Sequence, residues 1–410
     1  MNDSMFQEAN VGSVANMETE DAVQLLVRHA ADIQSSDLFF HTNEKAVEIL
    51  VRRLGKVQRL TSVSLAQGRH LIGHIKAMAQ MDISEHRRPM DGRWILVDGD
   101  TRYDMRINSL ATLFGEDVTV RIWDSRSGLR KVDQLGLGRT QLSTLKNLLN
   151  NPSGLILVTG PTGTGKTTTL YACLDYLNDG TRKISTLEDP IEFALTGTRQ
   201  AQVRPKLGLD FHELLRNVLR QAPDVIMIGE IRDELTADTA VRAANSGHLV
   251  LATLHAPIAA GAVQSILALG TNPYFLSSCL LGVIAQRLIR TLCPDCRVAY
   301  DITIAPETFA EIRPLLQDDE GDVIYGPGSC ENCMQVGYSG RTGLFEIMTI
   351  SREMRRLISE VAPSDDIQEN AIRHGMIEFK RSAMIQVARG VTSTEEILRD
   401  VPPEYLGIED

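Results

Sequence analysis

Residues 160–167 read G-P-T-G-T-G-K-T and match the phosphate-cradling template G-x-x-x-x-G-K-[ST]. That template works only between a strand and a helix, and the apolar run LILVT and the stretch KTTTLYACLDYL stand in those two places. Gly160, Gly163 and Gly165, with Pro161, Thr162 and Thr164 between them, form a loop whose backbone N–H groups can wrap phosphate oxygens. Lys166 then reaches the β- and γ-phosphates, Thr167 supplies a hydroxyl for Mg²⁺, and Thr168 shares the first helical turn, whose N-terminus favours negative charge. The chemistry expected is therefore binding of a nucleoside triphosphate with its magnesium. Three further segments offer groups that could act on it. DVIMIGEIRD places Glu230 at the end of an apolar strand, where a carboxylate polarises the metal shell or a water, although a helix cap is the plainer use of such a residue. RKISTLEDPIEF puts Glu188, Asp189 and Glu192 just past another strand, and one of them can serve as general base. LATLHA delivers His255 to a third strand end, where it could sense the γ-phosphate or simply be structural.

A second chemistry is written in cysteine. Cys293, Cys296, Cys330 and Cys333 form two Cys-x-x-Cys pairs separated by 33 residues, long enough a loop to return and close one tetrahedral Zn²⁺ site. Four thiolates leave no open coordination position, so such a zinc is structural. The alternative is a set of four buried or redox-active thiols. Cys173 and Cys279 fit neither pair and read as core residues.

These groups need a scaffold that brings several strand ends to one edge. Residues 155–160, 183–188, 224–230 and 248–255 are short, continuous apolar runs alternating with helical stretches, the pattern of parallel strands covered on both faces. A doubly wound α/β core over 139–291 follows, with the tetracysteine segment at 292–340 and a helical region at 341–410. Ahead of it, residues 21–124 combine a helical pattern with the β-like runs AVEILVRRL, WILVDGDTRYDMRIN and VTVRIW, an α+β domain. Residues 125–138 read as a linker, and 1–20 as a polar tail. The chain of 410 residues carries 42 Lys and Arg against 53 Asp and Glu, a net charge of −11, which argues against bulk nucleic-acid binding. No run of 18 apolar residues and no secretory leader pattern occur, so the sequence reads as soluble and cytoplasmic. Six cysteines are too few and too unevenly placed for a disulfide scaffold.

The blocks GPTGTGKTTTL, ISTLEDPIEF, LRQAPDVIMIGEIRD and ANSGHLVLATLHA, in this order, closely resemble the Walker A, Asp box, atypical Walker B and His box of the secretion and pilus-assembly ATPases of the GspE/PilB type. The likeness extends upstream through SSDLFF, EHRRPMDGRW and MRINSLATLFGEDVTVRI. Downstream it continues through CPDC, CENC, GYSGRTGLFEIM and GMIEFKRSAMIQVARGVTSTEEIL, about residues 22 to 400 in all. It implies a RecA-like P-loop core, an N-terminal PAS-like domain and a zinc-binding insertion. By the same resemblance Lys166 and Thr167 serve phosphate and Mg²⁺, Glu188 is the catalytic base, Glu230 the Walker B glutamate and His255 the His-box contact. Arg106 and Arg121 match arginines that the family directs at bound nucleotide, and Arg216, Arg220 and Arg232 match others around Walker B.

The resemblance further implies an ATP-hydrolysing homohexamer. It would act peripherally at the cytoplasmic face of the inner membrane, against a platform protein, to power type IV pilus or type II secretion pseudopilus assembly. A nucleotide-gated scaffold that hardly turns over is a different reading, and a pilus-retraction ATPase a third. Retraction members typically lack the four cysteines. Family members with a full docking domain carry well over a hundred residues before the SSDLFF block, whereas about twenty precede the first helix here, so the docking partner stays open. The stretch VRRLGKVQRL also lacks the R-x-D-G core that follows that block in the family.

Overall fold

The computed structural model describes residues 14, 16–124, 129–318 and 320–408. It divides into two units, Met1–Gly128 and Leu129–Asp410. Most of the expected 1–20 tail and the first four residues of the expected 125–138 linker lie outside the described residues.

In the first unit, helix α1 (Thr19–Asp32) buries Ala22, Val23, Leu26, Val27, Ala30 and Ala31, the three-and-four spacing of one helical face. Helix α2 (Leu65–Met78) starts where the Ser64 hydroxyl accepts the Gln67 N–H. Both pack on an antiparallel sheet of β1 (Asp37–Thr42), β2 (Ala46–Arg53), β3 (Lys56–Ser64), β4 (Met90–Asp98), β5 (Thr101–Ala111) and β6 (Glu116–Asp124), in the order β3-β2-β1-β6-β5-β4. Two of these strands, β1 and β3, have no counterpart in the sequence reading, and WILVDGDTRYDMRIN folds as a hairpin in which Asp98 pairs with Thr101. Neither β1 nor β3 shows the period of two that marks β2, where Val47, Ile49 and Val51 are buried between less buried neighbours: β1 is buried through its first four residues, and β3 is largely open to solvent.

The second unit is built on a seven-stranded sheet. Its elements are α3 (Arg139–Leu149), β7 (Gly154–Thr159), α4 (Lys166–Leu177), β8 (Ile184–Glu188), β9 (Thr198–Gln202), α5 (Phe211–Leu219), β10 (Val225–Ile228), α6 (Glu234–Asn245), β11 (Leu249–Leu254), α7 (Ala259–Ala268), α8 (Pro273–Cys279), β12 (Leu280–Leu292), β13 (Val298–Asp301), β14 (Val323–Gly326), β15 (Tyr338–Thr349), α9 (Arg352–Ser359), α10 (Ser364–Arg373), α11 (Phe379–Ala388) and α12 (Thr394–Asp400). The strand order is β15-β12-β7-β11-β10-β8-β9, with every pair parallel except β12 and β15. Residues of β7 alternate between two apolar clusters, Leu155 and Leu157 in one, Ile156 and Val158 in the other, so both faces are covered. The short hairpin β13–β14 stands apart as a two-stranded sheet within the tetracysteine segment.

Two strands depart from the expected layout. The long β12 crosses the expected 291/292 boundary, and its partner β15 occupies the start of the region read as helical, which becomes helical only at Arg352. At 13 residues and broken by Gln286, Arg287 and Arg290, β12 lacks the short continuous apolar run that marks β7, β8, β10 and β11. In β15 the charged Glu346 interrupts the apolar run and disguises it.

Candidate nucleotide site

Because β7, β8, β10 and β11 are parallel neighbours, their carboxyl ends share one edge, the place where open α/β sheets bind ligands. The loop after β7 turns at Gly160, whose φ is 144° and where a Cβ would lie 2.4 Å from the Gln286 carbonyl oxygen. Only glycine fits there. Gly165, in the left-handed region, is the N-cap of α4, so Lys166 and Thr167 open that helix. Lys166 Nζ donates to the carbonyls of Gly160 at 2.7 Å and Pro161 at 2.9 Å. Burial lowers its pKa, and the nearby Glu230 carboxylate works the other way. Pro161, Thr162, Gly163, Thr167 and Thr168 are exposed, while Thr164 is tucked in with its hydroxyl on the Pro161 carbonyl at 2.9 Å.

Glu230 follows β10 and joins two neighbours. One oxygen lies 2.9 Å from His255 Nε2 and the other accepts Arg232 Nη2 at 2.6 Å. Arg232 in turn stands 3.9 Å from Asp189. Burial alone would raise the Glu230 pKa, but the Arg232 guanidinium and the His255 ring outweigh it and hold the carboxyl below its usual range. His255 is held from behind: the Thr159 hydroxyl, at the end of β7, donates to the Ala256 carbonyl and accepts the Ala256 N–H, each at 2.8 Å. The structure thus brings Lys166, Glu230, Arg232 and His255 together on one edge.

Glu188 is at the same edge but in a different setting. It is only 3 % exposed, and its oxygens accept from the Tyr171 hydroxyl, the Thr186 hydroxyl at 2.6 Å and the Gln200 amide at 3.0 Å. As placed it turns no free face to a water, so work as a base requires one of these partners to let go. Tyr171, on α4, also accepts the Glu192 N–H at 3.3 Å and packs edge-on against Phe193. Arg216 and Arg220 make local contacts, to Glu213 at 3.9 Å and to the Asn217 side chain.

In the first unit, register places Arg106 directly beside Arg121 on neighbouring strands, with Arg93 and Asp37 next in the same row. Arg121 Nε lies 3.0 Å from the buried Asp37 carboxylate, and Arg93 pairs with Asp104.

The four cysteines of the tetracysteine segment converge with all four sulfurs within 4.8 Å of one another. Cys293 to Cys330, Cys296 to Cys333 and Cys330 to Cys333 are 3.8, 3.7 and 3.6 Å. Sulfurs about 2.3 Å from a tetrahedral zinc would be about 3.8 Å apart, so the donor set fits that ion. The backbone is shaped for it: a Cβ at Gly328 would lie 1.7 Å from the Cys296 carbonyl oxygen, and the Gly337 N–H donates to the Cys333 sulfur at 3.2 Å.

The family model described as type II/IV secretion system protein matches residues 15–399. The chain belongs to that family. It is 40 % identical over 377 residues to the type II secretion system protein E of Aeromonas hydrophila, covering 92 % of this chain and 74 % of that one. It is 38 % identical over 395 residues to the type IV pilus assembly ATPase PilB of Pseudomonas aeruginosa, covering 94 % and 69 %. Among solved structures, the ATPase DotB of Legionella pneumophila shares the fold with a TM-score of 0.69 at 20 % identity, covering 93 % of this chain and 95 % of that one. The pilus retraction motor PilT with bound ADP does so with 0.63 at 24 %, covering 94 % and 98 %.

Several residues that shape the site in this secretion-family chain carry little signal in the sequence. Gln286, buried on β12, donates to the Thr164 carbonyl at 2.7 Å and braces the phosphate loop from the adjacent strand. A polar residue inside the run LLGVIAQRLIRTL was the available signal. Tyr171 and Thr159 carried no signal of their own, because each becomes meaningful only beside a partner far along the chain.

Proposed function

We propose that the chain is an ATP-hydrolysing motor that assembles as a homohexamer and powers type IV pilus assembly or type II secretion pseudopilus assembly. On this reading it is peripheral at the cytoplasmic face of the inner membrane, held by a platform protein, with no nucleic-acid partner. No helix among the described residues is long and apolar enough to cross a membrane, which suits attachment through a partner. The convergence of Lys166, Glu230, Arg232 and His255 on one sheet edge, within a family-matched chain, is the observation that carries the reading.

In it, the phosphate-loop amides and Lys166 hold the β- and γ-phosphates. Thr167, exposed on the first turn of α4, would hold the Mg²⁺ that screens phosphate charge. Glu230 and His255 face the γ-phosphate end. Glu188 takes the proton of the attacking water once it is released from Tyr171 or Gln200. Arg106 and Arg121, on the sheet of the first unit, close on nucleotide in the assembled ring. Residues 292–340 act as a zinc-stapled subdomain with a structural role.

Phosphate release from purified protein with Mg²⁺ and ATP tests this. Lys166→Ala is expected to abolish turnover by removing the cation that faces the phosphates, with ATP binding lost alongside. Absence of turnover in an assembled wild-type ring would favour the nucleotide-gated scaffold instead.

A further inference from the structure

Glu346 is a carboxylate in the middle of the core strand β15, 1 % exposed. Such a group is costly unless hydrogen bonds satisfy it. Its two oxygens accept from two backbone amides, Ala259 N–H at 3.1 Å and Phe379 N–H at 3.0 Å. These are the first residues of α7 and α11. Neither helix has a capping side chain of its own: Ile258 and Glu378 stand at the N-cap positions and neither bonds the first turn. One buried carboxylate therefore supplies the missing cap of two helices that are 120 residues apart in sequence.

The connection matters because of what precedes α7. Residues 255–258 run from His255 straight into it. Ala256 is fixed by Thr159 and Ala259 by Glu346, with Pro257 restricting the backbone between. A segment of so few residues held at both ends has little slack. We propose that Glu346 is a positioning residue of the nucleotide site: it ties the His255 segment to the N-terminus of α11, so that the C-terminal helices set where His255 stands. This rests on the reading of the edge as an ATP-hydrolysing site. The groups around the carboxylate are the Gln368 amide, which donates to it, and Glu378, Arg287 and Tyr405, which act on it electrostatically. Arg287 donates to the Asp400 carbonyl at 2.9 Å and lies over the rings of Phe379 and Tyr405, so β12 beside β15 also contacts the C-terminal region.

The test compares the full-length wild type with Glu346→Gln, Glu346→Asp, His255→Ala and the double variant His255→Ala with Glu346→Gln. ATP turnover and amide hydrogen exchange are read in the same preparations. Glu346→Gln should speed exchange at both 256–261 and 379–382, lower kcat about ten- to a hundredfold through misplacement of His255, and leave the KM for ATP near wild type. Glu346→Asp should recover part of kcat. The double variant should be no slower than His255→Ala alone, because both losses act through one segment. Multiplying losses, or a folded Glu346→Gln protein with unchanged kcat, would overturn the proposal. Should Glu346→Gln fail to fold, Ala259→Pro deletes one donor at a first helical position, which tolerates proline, and is read the same way. If the wild type itself hydrolyses no ATP, the motor reading falls. The tie is then judged by exchange alone, and unchanged protection at 256–261 in the variant refutes it.

Discussion

The carboxyl ends of β8 and β10 are neighbours on one sheet edge, β8 ending in Glu188 and Glu230 following β10 by two residues, yet the two side chains live differently. Glu230 is partly open and sits between a guanidinium and an imidazole, groups that hold it ionised and aim it along the edge. Glu188 is sealed behind Tyr171, Thr186 and Gln200, with hydroxyl and amide donors in place of cations. Burial and the Glu188 carboxylate both push the Tyr171 phenol pKa upward, so Tyr171 stays the donor in that pair. The contrast teaches that position at a strand end does not fix a role. A carboxylate paired with an exposed guanidinium and imidazole is ready to respond to phosphate charge, whereas one held by buried neutral donors must exchange a partner before it can move a proton.

Substitution can sharpen or erase this difference. Glu188→Gln should produce the largest effect, a fall in kcat of about 10²- to 10⁴-fold with ATP binding retained, if exchange of partners delivers it to the water. A variant as fast as wild type would leave Glu188 as an anchor and pass the base role to Glu230. Glu230→Gln is expected to cost about 10²-fold in kcat, since Arg232 and His255 lose the group that orders them. Losing the ordered position of Arg232 in a structure of that variant would be the accompanying sign. Tyr171→Phe removes one donor from Glu188 without touching Glu230, and should change kcat by only about two- to tenfold, the scale of one net hydrogen bond. A loss matching that of Glu188→Gln would show the seal itself to be essential. The smallest effect on this edge should come from changes in the tetracysteine segment. Replacing Cys330 and Cys333 together with serine should abolish bound zinc in elemental analysis and loosen residues 292–341 to protease, with ATP affinity unchanged. Wild-type protein with well under one zinc per chain, and folding indifferent to a chelator, would remove zinc from the account.

The phosphate loop and the two cysteine pairs were legible because their chemistry is local: a few residues at fixed spacing make the turn that does the work. Continuous apolar runs likewise announced β7, β8, β10 and β11, since strands buried on both faces need no partner to be recognised. The sequence also placed Glu188, Glu230 and His255 at strand ends. Whether such an end is open or sealed depended on residues that approach from elsewhere, Tyr171 from α4 and Gln200 from β9, and spacing along a chain carries no record of that approach. The same holds for Gln286 under the phosphate loop and for Glu346 between two helices. Each reads in sequence as a polar blemish in an apolar run. Tertiary structure alone decided that each satisfies backbone groups more than 30 residues away, because a buried polar group acquires its meaning from the partner that makes its burial tolerable.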